Sequence, residues 1–318
     1  MTNNAAISAM DILRDTYSSR AETQARVITG YRVAEASDNS AYWSIATTMR
    51  SDNKMLSAVE DALSLGSAIV DTAGNGISVS ADILSQFKSR LVMAREPGVD
   101  RGKINIELTE LKNQLKTIAH ASTFSGENLV WRTNAADDGE RALVGSFQRN
   151  ADGGVTITDM TYDIDGVAGT SKVNYLIDDV DGDRGILTGS GFAAELGTSK
   201  AWVVFNGEAG TANDEMVLSS ATTNDEIEEM ISVVDAMAER TIDVGSTLGA
   251  LATRITLQQD FVVDLQDSLA YGVGRMVDAD MNEESARLKA VETREKLGMQ
   301  ALAIANNSVG NFLQLLQP

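Results

Sequence analysis

The 318-residue chain carries 26 basic and 46 acidic side chains, a net charge of −20, and no cysteine. That composition excludes disulfides, thiol chemistry and Cys-ligated metals, and argues against nucleic acid or an anionic membrane as the main partner, because both draw Lys and Arg. With 2 prolines and only 5% aromatic residues, long helices meet few breakers and the core must rest on Leu, Ile, Val, Met and Ala.

Residues 3–28 read as one amphipathic helix presenting Ile7, Met10, Leu13, Tyr17, Val27 and Ile28. Thr29-Gly30 and the stretch to Ser40 interrupt it. From Ile45, alternate steps of four and three residues reach Met49, Asp52, Leu56, Val59, Leu63, Gly66, Val70, Ala73, Ile77, Ser80, Leu84, Phe87, Leu91 and Ala94. Twelve of these fifteen positions are apolar, a coiled-coil-like seam weakest at Gly74 and Gly76. Pro97-Gly98 ends it. Asp100 is placed to cap a second helix that repeats the spacing at Ile104, Leu108, Leu111, Leu115 and Ile118.

From about Ser125 the composition changes. Short β-prone runs, Val155–Thr158, Val173–Ile177, Ala201–Phe205 and Met216–Leu218, are separated by turn signals such as Asp165-Gly166 and Asn206-Gly207, predicting a small β-rich insertion. Acidity concentrates there: between Val130 and Thr222 lie 15 acids and 6 bases. Helix resumes at the capping box Thr223-Asn224-Asp225-Glu226 and its seam runs through Leu248, Leu251, Ile255, Val262, Leu265, Leu269 and Met276. The pattern slips between Asp278 and Ser285, then restarts out of phase at Leu288, Val291, Leu302, Ala305, Val309, Phe312 and Leu316. No charged side chain occurs from Leu297 to Pro318.

Both ends thus read as outer helix, polar joint and inner helix, mirrored about the insertion. Heptad seams could close into an ordinary intramolecular bundle. The outer helices, however, lie beyond the joints and cannot share the inner core, so their apolar faces need cover, and neighbouring copies are the natural source. The first thirty residues lack a positive segment followed by an apolar run, so export is expected by a route without a cleavable leader. The uncharged tail holds too many Asn and Gln for membrane insertion.

Thr29-Gly30-Tyr31-Arg32, the turn Ser37-Asp38-Asn39-Ser40-Ala41 ahead of a long helix, Thr123-Phe124-Ser125-Gly126-Glu127-Asn128-Leu129, Asp280-Met281-Asn282-Glu283-Glu284-Ser285 and Leu297-Gly298-Met299-Gln300-Ala301-Leu302 together resemble the bacterial flagellins. The resemblance covers about residues 1–130 and 224–318. It implies a mainly α fold with a β-rich insertion: long antiparallel coiled-coil-like helices from both termini form inner D0 and D1 layers around a small variable β outer domain. Residues 1–39 would be the N-terminal D0 helix and joint, 40–129 and 224–277 the two parts of D1, 130–223 the outer domain, and 278–318 the joint and C-terminal D0 helix.

On this resemblance the chain polymerises into the flagellar filament, with Ile7, Met10, Leu13, Tyr17, Leu288, Val291, Leu302, Val309, Phe312 and Leu316 as the polymerisation interface. Gly30, Arg32, Ser37, Asp38, Asn39, Asp280 and Asn282 would form the joints. Implied partners are further copies of itself and other flagellins, a flagellar secretion chaperone, the filament cap and hook-associated proteins. Export would follow the flagellar type III route to an extracellular filament. A hook–filament junction protein is the alternative in the same class, and a carbohydrate- or calcium-binding outer segment on a helical stalk the alternative from another.

Enzyme chemistry finds little footing. The single histidine, His120, sits on the second inner helix, and no His-Glu-x-x-His occurs. Gly189-Ser190-Gly191 lacks the strand and helix of a dinucleotide site. The run Asp178-Asp179-Val180-Asp181-Gly182-Asp183 fails the EF-hand register, so solvated turn carboxylates are expected. No cofactor, metal site or catalytic residue is assigned.

Overall fold

The computed structural model describes residues 4–134, 140–150, 152–164, 171–180, 182, 184–207 and 213–315, with side chains as far as Asn307. In chain order they form helices α1 (Asn4–Thr29), α2 (Ser40–Ala94) and α3 (Arg101–Ala121), strands β1 (Thr123–Phe124), β2 (Glu127–Asn128), β3 (Trp131–Arg132), β4 (Glu140–Arg149), β5 (Val155–Asp163) and β6 (Ile177–Asp178), helix α4 (Gly191–Leu196), strands β7 (Trp202–Val203) and β8 (Asp214–Glu215), and helices α5 (Asn224–Val277) and α6 (Met281–Leu315). The chain divides into one unit made of both ends, residues 1–54 and 265–318, and a second unit, residues 55–264.

In the second unit α2 carries the predicted seam. All twelve positions from Leu56 to Ala94 are buried, including Ser80, whose hydroxyl returns to the Gly76 carbonyl at 2.7 Å. Gly74 and Gly76 do not break the helix. At Gly76 a Cβ would collide with the Ser122 side chain at the end of α3, so the glycine is there for close approach. Ion pairs Lys88–Asp235 and Arg95–Glu228, and the Ser64–Gln259 hydrogen bond, run α2 antiparallel to α5. Arg90–Glu107 at 2.9 Å and the Gly76–Ser122 approach run it antiparallel to α3. Phe87, Leu91, Leu108, Leu115, Met230, Val233, Met237 and Ile255 fill the core at 0% exposure. Asp100 caps α3 through the Gly102 and Lys103 amides, and Thr223 and Glu226 exchange the two hydrogen bonds of the capping box, 2.8 and 3.2 Å.

The insertion is less regular than its sequence suggests. Of the four runs, Val155–Thr158 opens β5, Ile177 begins β6 and Trp202–Val203 form β7, while in Met216–Leu218 the first and last residues are buried, Val217 is exposed and none is strand. The longest strand, β4, was not among the expected runs; it pairs with β5 as an antiparallel hairpin broken by a bulge between Val144 and Ser146. The other pairs are two residues long, and β3–β6 and β7–β8 are parallel. Order comes from side chains instead. Asp178, fully buried, bonds Arg132 at 3.0 Å and the amides of Val180 and Arg184, while Asp179 accepts the Trp131 indole N–H at 2.7 Å. These two carboxylates hold the fold and are not the solvated turn groups expected; Asp181 and Asp183 of the same run lie outside the described residues.

Carboxylates also tie the insertion to the start of α5. Glu229 accepts the Ser199 amide and hydroxyl and the Trp202 indole N–H, at 3.0, 2.8 and 2.8 Å, and Lys200 pairs with Glu226 at 2.6 Å. The indole donor holds Glu229 below the usual carboxylate range, and Lys200 does the same for Glu226. A depressed folded pKa contributes stability above the unfolded value and loses it as pH falls through the folded one. Acidification below the ordinary glutamate range is therefore expected to loosen this anchor, read as a Trp202-dependent change in near-ultraviolet circular dichroism that Glu229→Gln, which cannot titrate, abolishes. In the helical core, Phe87→Ala is expected to cost about 3–5 kcal/mol in urea unfolding.

Candidate assembly surface

In the first unit α1 lies antiparallel against α6. Arg20 meets Glu295 at 2.7 Å, Arg26 meets Glu284 at 3.5 Å, and a Cβ on Gly298 would stand 2.9 Å from Leu13. The buried line on α1 is Ala6, Ala9, Leu13, Thr16 and Thr23, spaced three and four apart or a heptad, with Arg20 half-buried in the same register. On α6 the buried residues are Glu284, Val291, Gly298 and Ala305, a strict heptad, with Leu288, Glu295 and Leu302 half-buried between them. Two threonines are tolerated in the seam because their hydroxyls return to the Ile12 and Ser19 carbonyls, 2.7 and 2.8 Å away.

The α1 residues expected at the polymerisation interface divide between the seam and its flank. Leu13 is in the seam, but Ile7, Met10 and Tyr17 stand 44, 45 and 49% exposed on one side of it. Small residues pack inward because they let the backbones close up, and the large ones are left outside. On the other side of the seam is a groove of about 1010 Å³, lined by Ile12, Leu297 and Ile304 above a floor that includes Ala9, Gly298 and Ala301. Of the α6 positions predicted to be interface, Val291 is buried and Leu288 and Leu302 are half-buried. The Val309 and Phe312 side chains, and Leu316, lie outside the described residues.

The joint comes together at the other end of the pair. Gly30 takes φ +73°, the left-handed turn that ends α1, and its carbonyl accepts the Ala279 amide at 2.9 Å. Tyr31 and Asp278 form an antiparallel bridge. The Val277 carbonyl accepts the amides of Arg32 and Val33 at 2.7 and 3.2 Å, and the Arg32 guanidinium donates to the Met276 carbonyl at 3.0 Å. A cation and two amides thus satisfy the orphan carbonyls at the C-terminus of α5. Val33 packs with Ala46, Val273 and Val277 beneath them.

Asp38 folds back to accept the Ala34 and Glu35 amides, which hold its carboxyl below the usual range, the Glu35 bond being the larger cause. Asn39 caps α2 through the Tyr42 amide, 3.1 Å, and Asp280 caps α6 through the amides of Asn282 and Glu283, 2.9 and 3.3 Å. The C-terminal joint is therefore shorter than the slip to Ser285 suggested, since α6 starts at Met281. Ser37 is exposed in the turn, and Asn282 contributes its backbone amide.

Several participants were not singled out beforehand: Arg20, Arg26, Glu284 and Glu295 as cross-helix pairs, Val277 as the shared acceptor, and Ile12, Leu297 and Ile304 as groove walls. A heptad count that admitted Ala, Thr, Gly and paired charges would have found the seam. Among the described residues no cluster of three or more His, Cys, Asp or Glu is placed to hold a metal, and no helix is long and apolar enough to cross a membrane.

The family model for the bacterial flagellin N-terminal helical region matches residues 1–135, and that for the bacterial flagellin C-terminal helical region matches residues 231–316. The chain is 46% identical over 323 residues to Flagellin C of Rhizobium meliloti (strain 1021), covering 100% of this chain and 98% of that one. It is 37% identical over 391 residues to Flagellin A of the same strain, covering 100% and 99%, and 34% identical over 318 residues to a flagellin of Brucella melitensis, covering 100% and 98%.

Removing the α6 cap is expected to cost about 0.5–2 kcal/mol. Hydrogen exchange on Asp280→Ala should show faster exchange at the Asn282 and Glu283 amides, with the α2–α5 core unchanged. Because the Asp38 carboxylate is stabilised in the fold, its turn should hold above the ordinary aspartate range and open as pH falls through its depressed value, seen as accelerated exchange at Ala34 and Glu35.

Proposed function

The chain belongs to the bacterial flagellin family and is a structural subunit of the flagellar filament, not an enzyme; from that premise we propose that the α1–α6 pair is the part through which copies join. The observation that carries this reading is the placement of large apolar side chains. Ile7, Met10, Ile12, Tyr17, Leu297, Met299 and Ile304 are all at least 44% exposed beside a seam rich in small residues and paired charges. Full burial of each large aliphatic side chain would contribute roughly 1.5–3 kcal/mol. A pair of helices cannot cover both of its own flanks, so a neighbouring copy does.

On this reading residues 1–39 and 278–318 make the innermost D0 layer, 40–129 and 224–277 the D1 layer, and 130–223 the outer domain. The acidic insertion keeps outer surfaces mutually repulsive, while the charge-free stretch from Leu297 onward lets inner ends approach. Export by the flagellar type III route to an extracellular filament, a secretion chaperone that masks the C-terminal helix, and contacts with the cap and hook-associated proteins belong to the same proposal. Nothing favours the hook–filament junction alternative.

Deleting residues 1–30 or 285–318 is expected to leave a soluble monomer with an intact second unit by circular dichroism. Negative stain should show no filaments from either truncation, whereas wild-type filaments from both would overturn the reading.

A further inference from the structure

The two flanks of the α1–α6 pair are unlike, and we propose that they are complementary halves of one head-to-tail contact in which the ridge of one copy enters the groove of the next. This rests on the terminal-helix reading above and specifies which surface meets which. At 3.6 residues per turn, residues 7, 10, 14 and 17 fall on one side of the α1 seam, and 5, 8, 12, 15 and 19 on the other. The first set supplies the ridge: Ile7, Met10, Arg14 and Tyr17. The second enters the groove with Ile12 and Asp15. On α6 the same geometry puts Glu292 and Met299 on the ridge side, while Arg294, Leu297 and Ile304 line the groove.

Shape and charge both select a second copy as the occupant. The groove has large walls and a floor of Ala and Gly, which admits side chains the size of Met and Tyr. A neighbour turned about an axis parallel to the helices sets α1 beside α1 and α6 beside α6. Arg14 on the ridge then faces the neighbour's Asp15 in the groove, and Glu292 faces the neighbour's Arg294. Opposite charges meet on both helices, at closely matching levels. Asp15, Glu292 and Arg294 have no ion pair within the chain among the described residues, and Arg14 has a loose exposed one to Asp11 at 3.8 Å. A two-fold neighbour would instead set ridge against ridge and close the assembly at a dimer. Unlike flanks make a heterologous contact, which closes into a ring under pure rotation and propagates as an open helix once each copy also rises along the axis.

The chain has no cysteine, so introduced pairs report without background. Positions 8 and 10 point about 200° apart on one helix and cannot bond within a chain. Filaments of the Ser8→Cys, Met10→Cys double variant, oxidised and then dissolved, should run as a ladder of multimers on a non-reducing gel, with each single variant monomeric. Dimers from either single variant, or monomers alone from oxidised double-variant filaments, would overturn the proposal. Should the double variant not assemble, the charge pair decides: Arg14→Glu is expected to slow seeded growth at least tenfold and Asp15→Lys in the same chain to restore it, and absence of restoration counts against the pairing. A failed ladder from normal filaments sinks the flank assignment alone, while the truncations above test the terminal-helix reading separately.

Discussion

A helix has a limited circumference, and how α1 and α6 divide theirs determines what the rest of the molecule can do. Both give much of the inward stripe to Ala, Gly, Thr and a few paired charges, with Leu13 and Val291 as its buried large members. That choice brings the backbones close enough for Leu13 to rest on Gly298. It also leaves Ile7, Met10, Ile12, Tyr17, Leu297, Met299 and Ile304 outside the seam. A seam of Leu and Ile would have satisfied the pair internally and left little reason to associate. On the proposed assembly, that apolar surface drives the association of copies.

The joint makes that arrangement usable. Two chain crossings link the outer helices to the inner ones, and either alone would be a swivel. Here they are bound to each other: Gly30 to Ala279, Arg32 and Val33 to Val277, with Arg32 also reaching Met276. The acceptors at Met276 and Val277 are carbonyls that the end of α5 leaves unsatisfied, so the brace uses bonds that helix needed anyway. Asp38, Asn39 and Asp280 supply the remaining caps from their own side chains. The insertion is organised differently, with a buried Arg132–Asp178 pair and carboxylate anchors in place of an extended sheet.

Much of this was legible in the sequence where one physical signal dominated. The α2 seam from Leu56 to Ala94, the Pro97-Gly98 stop, the Asp100 cap and the Thr223–Glu226 box each appear as read, because period and capping chemistry are local, whereas at the start of α2 the expected Ile45 is exposed and Ala46 is buried in its place. On α1 the division between seam and flank was not legible, because close packing of two thin helices favours small side chains and leaves Ile7, Met10 and Tyr17 outside. Strand β4 escaped because its sequence, with Arg141, Gly145 and Arg149, mixes charge and glycine into the alternation, and its pairing depends on β5 and on Leu143 settling over Gly66. The roles of Asp178 and Asp179 depend on Arg132 and Trp131, more than forty residues away, which no local pattern encodes.

The seven-residue spacing of Glu284, Val291, Gly298 and Ala305 has a geometric consequence of its own. An α-helix completes 3.6 residues per turn, so a stripe repeating every 3.5 slips backward by about 20° per heptad around a straight axis. To stay in register with α1, the pair has to coil left-handedly. Ridge and groove coil with it, so each flank is a shallow screw thread instead of a straight edge.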